Sequence, residues 1–286
     1  MQGMTEGRVK VNGAELYYEL RGTGPAVLMI HGTGADAGCY DDVSTRLANG
    51  FRVLTYDRRG WSRSPRPAGW TRTSIEEQAD DAAWLLRATG HAPAVVFGSS
   101  SAGLIALDLV LRHPEVVRGA VTHEPSVFTC LPQDFVEQQF AALNPTIEHA
   151  IESGGPQGGH RAFLGALAGE SGFTALADAQ TRARWLTNSE FMFSYEFPQM
   201  LLSYRPDPKA VAALKMPLKV MRATESQPIN VAASEWLAGQ LKTDVLVAPG
   251  SHLAYCIRPD EFAEALGAVL KSLTSVAAGE DRPPRS

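Results

Sequence analysis

The sequence has few cysteines, no concentrated basic charge and no long apolar run, and each lack removes a class of function. The three cysteines, Cys39, Cys130 and Cys256, are scattered through 286 residues without a Cys-x-x-Cys pair. A disulfide framework is therefore excluded, and free thiols in a reducing, cytoplasmic setting are expected. Lys and Arg number 26 against 31 Asp and Glu, for a net charge of -5. A phosphate-binding surface gathers its cations, and here only short pairs such as Arg58-Arg59 occur. Nucleic acid is not an expected partner. No apolar run approaches the roughly 18 residues of a membrane span, so no membrane partner is expected. Residues 1–10 also lack the charged start and apolar stretch of a secretory leader.

Metal and nucleotide signatures are missing too. There is no His-Glu-x-x-His and no cysteine–histidine cluster. Gly22-Thr23-Gly24 stands before a strand-like run rather than before a helix, which is the wrong context for a phosphate loop. No metal and no cofactor are expected, and the expected partner is a small-molecule substrate. Oligomeric state is not legible in the composition.

What is present is a strand–helix rhythm. Val9 to Leu20 reads as a β-hairpin, because Asn12-Gly13 supplies the positive φ angles of a tight turn. Ala26–Ile30, Arg52–Tyr56, Ala94–Phe97 and Val117–Thr122 are short continuous apolar runs, as in strands buried on both faces of a parallel sheet. Ser74-Ile75-Glu76-Glu77 is a capping box that opens a helix, which Gly90 stops. Leu104 to Arg112 is apolar almost all round and reads as a buried helix.

After Pro125 the rhythm breaks. Up to Pro208 the pattern is helical with irregular joints, including Gly154-Gly155-Pro156-Gln157-Gly158-Gly159. Large side chains crowd this stretch, among them Trp185, Phe191 and Tyr195. Most of them would form the core of a helical unit, and a few would line a pocket over the sheet. The rhythm then resumes with Leu218–Met221, Val231–Leu241 and Val245–Ala248, and Pro259 opens a last helix to about Leu273. The expected organisation is an α/β core of residues 1–124 and 209–276, a helical cap of 125–208 and a disordered tail of 277–286.

The run Gly98-Ser99-Ser100-Ser101-Ala102-Gly103 lies between a strand and a helix. A nucleophile elbow requires that context, with small residues two before and two after the serine. Ser100 and Ser101 both pass this filter. Ser100 is preferred because the strand ends at Gly98, and glycine best tolerates the crowded turn. A serine-rich loop without chemistry is the alternative, and the flanking strand and helix argue against it.

A serine hydroxyl needs a base. His252 follows the last strand-like run and precedes the last helix, so it falls at the same sheet edge as the elbow. His91, His113, His149 and His160 have no such context and read as surface or core residues. The base needs a carboxylate to fix its tautomer. Glu124, after Val117–Thr122, and Glu225, after Leu218–Met221, both stand at strand ends. The tetrahedral intermediate needs two backbone N–H donors. These would be Ser101, just after the nucleophile, and Thr33 in the glycine-rich loop His31-Gly32-Thr33-Gly34, with Gly32 beside the substrate.

These residues resemble the α/β-hydrolase superfamily over nearly the whole chain outside the insertion. The marks are His31-Gly32, the stretch Asp57-Arg58-Arg59-Gly60-Trp61-Ser62-Arg63-Ser64, the elbow, and Gly250-Ser251-His252. The resemblance implies an α/β-hydrolase fold, a mostly parallel sheet flanked by helices with an inserted helical cap. It also implies Ser100 as nucleophile. The family's common acid position is matched by Ser226, which cannot serve, and this shifts the expectation to Glu124. Thr122-His123-Glu124-Pro125 is similar to the acid-bearing segment of zearalenone lactonases, as are the elbow and residues 249–255. The cap has no counterpart there, so no substrate is carried over.

The expected activity is hydrolysis of a carboxylic ester or lactone of an apolar or aromatic small molecule, through Ser100, His252 and Glu124, with Trp185, Phe191 and Tyr195 on the substrate. The same triad would serve a cofactor-free perhydrolase or a C–C bond hydrolase. A small-molecule receptor on this fold is the reading from another class.

Overall fold

A computed structural model describes residues 3–280. Eight strands form one sheet: β1 (Thr5–Val11), β2 (Ala14–Arg21), β3 (Ala26–Ile30), β4 (Arg52–Tyr56), β5 (Ala94–Ser99), β6 (Val117–His123), β7 (Leu218–Ala223) and β8 (Val245–Ala248). Their order is β1-β2-β4-β3-β5-β6-β7-β8. The hairpin β1–β2 and the pair β2–β4 are antiparallel, and all later pairs are parallel. This is the expected α/β-hydrolase architecture.

The continuous apolar runs have the predicted cause. Side chains alternate across a strand. Leu28, Ile30, Leu54 and Val96 enter a core on one face, and Val27, Met29, Val53, Val95 and Phe97 enter a core on the other. The first face is covered by α2 (Ile75–Ala88), α3 (Ser101–Arg112) and α8 (Pro228–Leu241). The second is covered by α1 (Asp41–Leu47) and α10 (Pro259–Glu280), with the short α9 (Ala254–Ile257) beside them. Each such Leu or Val stabilises by roughly 1.5–3 kcal/mol on burial.

Element ends differ from the expectation in instructive ways. Ser74 Oγ accepts from Glu77 N at 3.1 Å, so the cap exists, but the Glu77 carboxylate goes to Trp70 Nε1 at 3.0 Å instead of reaching back. An indole donor beside a half-buried carboxylate wins over an exposed backbone N–H. Helix α3 begins at Ser101, three residues before the apolar run, because small residues continue the helix into the elbow. Helix α10 extends to Glu280, past the expected end near Leu273 and into the stretch expected to be a tail. Residues 281–286 of that tail lie outside the described residues.

Between β6 and β7 the chain is helical. Helix α4 (Gln133–Ala168) is broken at Gly155, whose φ is 64°. The glycine joint thus falls where a left-handed residue separates two helical stretches, and Pro156 suits the first turn of the second. Helix α5 (Ala179–Leu186), the single turn α6 (Ser189–Phe191) and α7 (Pro208–Ala212) follow. Residues 192–201 continue α6 as a wider, i→i+5 helix containing Pro198, which has no N–H to give the tighter ladder.

The elbow is the tightest point of the sheet edge. A Cβ on Gly98 would lie 2.1 Å from the Ala102 carbonyl oxygen, whereas one on Gly239 in α8 meets nothing within 4 Å. Gly98→Ala should therefore lower unfolding stability by more than ~3 kcal/mol. Gly239→Ala should raise it by about 0.5–1 kcal/mol through helix propensity. Urea unfolding of the two variants measures both.

Candidate active site

Among Ser99, Ser100 and Ser101, the strained turn falls at Ser100. Ser100 has φ 59° and ψ −125°, a conformation unfavourable for any residue with a Cβ. It is held there from three sides. Its N–H donates to the His123 carbonyl at 2.9 Å, and its carbonyl accepts from Gly103 N at 2.9 Å and Ser126 N at 3.2 Å. A Cβ on Gly103 would stand 2.8 Å from Pro125 Cβ, so the small residue lets α3 close against the chain after β6. Ser99 is buried, with Oγ 3.0 Å from His123 Nδ1. Ser101 is buried against Thr33. Ser100 alone of the three keeps a partly exposed hydroxyl, resting 3.3 Å from Ser126 Oγ.

The two expected acids part company. His252 Nδ1 meets Glu124 Oε2 at 2.5 Å. Glu124 turns its side chain inward at a φ of 46°, directly after β6, while its N–H stays on the Met221 carbonyl at 2.9 Å. Both carboxylate oxygens are filled. Ala223 N at 2.9 Å and the Ser226 hydroxyl donate to Oε1, and Asn230 Nδ2 at 2.9 Å joins His252 on Oε2. Glu225 is different. Its side chain is exposed and paired with Arg258 at 3.3 Å. A strand-end carboxylate in a solvated loop finds a surface cation, and among the described residues Glu225 makes no hydrogen bond to His252.

Ser226, which the resemblance matches to the common acid position, donates its hydroxyl to Glu124. Asn230 was not anticipated. Neither was Ser126, whose only signal is its place two residues beyond Glu124.

Burial works against the charged form of Glu124, yet its carboxyl is held well below the usual range. The His252 hydrogen bond and charge, with His123 and Ser226, outweigh the burial. A carboxylate can only accept, so His252 donates its Nδ1–H to Glu124. His252 Nε2 is then left without a proton and able to accept one.

The loop after β3 crosses the elbow. A Cβ on Gly32 would stand 3.3 Å from Ser100 Cβ, so Gly32 borders the reacting atom. Among the described residues no hydrogen bond occupies the N–H of Thr33 or of Ser101. The side chains of these residues meet at 2.9 Å, Thr33 Oγ1 to Ser101 Oγ. This places two open N–H donors beside Ser100, an arrangement able to receive an oxyanion.

The aromatic expectation needs correction. Trp185 is 1% exposed and its Nε1 donates to Asp36 Oδ1 at 2.9 Å, so it pins the cap to the sheet. Phe191 is equally buried, packed edge-on to Trp61 and stacked with Trp70 and Tyr195. These rings bury one another because the cap has to form its own core. The cavity that reaches His252 measures about 330 Å³. Its wall mixes Leu167 and Ile257 with Glu170, Ser171, Gln227 and Arg258. Among the described residues no helix is long and apolar enough to cross a membrane.

Known proteins match this picture. The model of the alpha/beta hydrolase family matches residues 27–265. An uncharacterised hydrolase of Bacillus subtilis (strain 168), YraK, is 34% identical over 273 residues, covering 94% of this chain and 97% of its own. A zearalenone hydrolase of Bionectria ochroleuca is 35% identical over 116 residues, 40% of this chain and 44% of its own. Among solved structures, Est816, described as an N-acyl homoserine lactone degrading enzyme, superposes with a TM-score of 0.73 at 25% identity, covering 92% of this chain and 99% of its own.

Three buried histidines bear on pH stability. Burial lowers His31 to about 3 and His123 and His160 to about 4. The unfolded chain binds a proton at each near 6.5 while the folded chain does not, so stability falls as pH drops below about 6.5. Each group contributes up to about 1.4 kcal/mol per pH unit until its folded value is reached. Urea midpoints between pH 7 and 4.5 should decline, and His123→Gln should make that decline shallower.

Proposed function

The chain belongs to the alpha/beta hydrolase family, and on that premise we propose that it is a serine hydrolase cleaving a carboxylic ester or lactone through an acyl-enzyme. The observation that carries this is the Glu124–His252 bond at 2.5 Å at the sheet edge where Ser100 is held at φ 59° on its elbow. The hydroxyl of Ser100 swings from Ser126 to His252 Nε2 and attacks the ester carbonyl as Nε2 takes its proton. The N–H groups of Thr33 and Ser101 receive the oxyanion. The alcohol, or the ring oxygen of a lactone, leaves with the proton from His252. Water then repeats the sequence at the acyl carbon and frees Ser100. Glu124 holds the imidazole in the required tautomer and stabilises its charged form.

The cavity at His252, whose wall does not include Ser100, supports a substrate class. Its wall of carboxylate, guanidinium, amide and hydroxyl groups among short apolar side chains suits a small ester or lactone with polar substituents. Trp185 and Phe191 are taken up in packing, while Tyr195 is half-buried. The relatives named for zearalenone and for acyl homoserine lactones support a lactone over an open-chain ester.

Ser100→Ala should abolish turnover of model esters and lactones and block labelling by a fluorophosphonate; labelling that persists in this variant would refute the assignment. Glu124→Gln should lower kcat by about 10³–10⁴-fold, as loss of the triad acid does elsewhere. Glu225→Gln should cost far less. A panel adding β-diketones, and peroxide with acetate, separates ester hydrolysis from C–C cleavage and perhydrolysis.

A further inference from the structure

The loop after β3 is gripped by the cap at Thr33, Gly34 and Asp36. Thr33 Oγ1 lies 2.5 Å from Glu196 Oε1, in the wide helical stretch 192–201. The Gly34 carbonyl lies 2.8 Å from His160 Nε2 on α4. Asp36 accepts from Arg184 Nε at 2.5 Å and from Trp185 Nε1 at 2.9 Å, both on α5. The sheet side holds the same loop from beneath. The His31 ring bridges the Gly32 carbonyl at 2.9 Å and Arg58 N at 3.0 Å.

Glu196 is the centre of this grip. It is fully buried in an otherwise uncharged run and accepts from Arg58 Nη2 at 2.7 Å and Trp61 Nε1 at 2.7 Å as well as from Thr33. A buried carboxylate is tolerated only where its acceptor positions are filled. Thr33 has one hydroxyl hydrogen, and a carboxylate can only accept. That hydrogen therefore goes to Glu196, which leaves Thr33 Oγ1 to accept from Ser101 Oγ. The two residues whose N–H groups face the oxyanion are thus tied to each other and then to the cap.

We propose that Glu196, with His160, is a positioning residue for catalysis: the cap sets the Thr33 N–H donor and so fixes the geometry of the oxyanion hole. This rests on the serine-hydrolase reading above and adds to it that the cap controls rate and not merely access. A donor misplaced by about 1 Å loses most of its transition-state stabilisation, about 10²-fold in rate. Ground-state binding, which makes little use of the oxyanion donors, changes little.

The test combines steady-state kinetics with the affinity of an aryl trifluoromethyl ketone, which forms a tetrahedral adduct with an active serine. Glu196→Ala should lower kcat by about 10²-fold with KM within about threefold, and ketone affinity should fall by the same factor as kcat/KM. Glu196→Gln keeps an acceptor for Thr33 and should recover part of the rate. Thr33→Val breaks the same link from the other end, and serves where Glu196→Ala fails to fold. Leu86→Ala in α2, a buried core residue remote from the loop, supplies the stability reference. The proposal is overturned if KM rises with kcat unchanged, if ketone affinity does not follow kcat/KM, or if Leu86→Ala costs as much rate at equal loss of Tm. Ser100→Ala, assayed in parallel, keeps the two claims apart. If it stays active, the serine-hydrolase reading fails. If it is inactive while the Glu196 and Thr33 variants are fully active, only the positioning role fails.

Discussion

The site depends on one buried carboxylate. Taking Glu124 out of water costs several kcal/mol unless every acceptor position is filled, and four elements converge to fill them. Strand β7 supplies the Ala223 N–H, the loop after it the Ser226 hydroxyl, α8 the Asn230 amide, and the loop after β8 the His252 ring. Glu124 can reach them only because β6 and β7 are parallel neighbours and its own backbone turns to a positive φ at the strand end. The order of the last strands and the placement of α8 are in this sense conditions for a base at His252.

A second buried carboxylate repeats the logic on the cap side. Glu196 joins Arg58 and Trp61 to the loop over the elbow. Between these two anions stands Ser100, whose strained backbone is fixed by Gly98, Gly103 and the chain after β6. Strain at a reactive residue persists only where the surroundings over-determine it, and here both loops are fastened from either side. In the proposed mechanism the segments carrying the two N–H donors are thus held in place before a ligand arrives, which favours electrostatic catalysis.

Much of the fold was legible because its signals are local. Continuous apolar runs mark the strands, and inside the sheet burial on both faces accounts for them, whereas the edge strand β8 leaves Val247 exposed. The elbow and His252 were legible because a turn, a strand end and small residues recur together. The choice of acid turned on Ser226, a departure that became readable only against the family pattern. The cap was legible as helical and as interrupted at Gly155, but not in its packing, since many aromatic side chains in one segment do not say which of them face one another. Trp185 and Phe191 went to the core for that reason. Asn230 and Glu196 were missed because each acts on residues over 100 positions away. One clue to Glu196 was present: a single charge inside the run from Phe191 to Leu201 has no place in a purely apolar core.

The central claim is that an acyl group passes through the Ser100 oxygen. Turnover of an activated ester can be quenched in acid within its first cycles, and the protein then digested and weighed. The account predicts one acyl mass per chain, on the peptide containing Ser100, that disappears as substrate is exhausted. Steady turnover without any adduct, or an adduct on another residue that forms and decays at the catalytic rate, would contradict it.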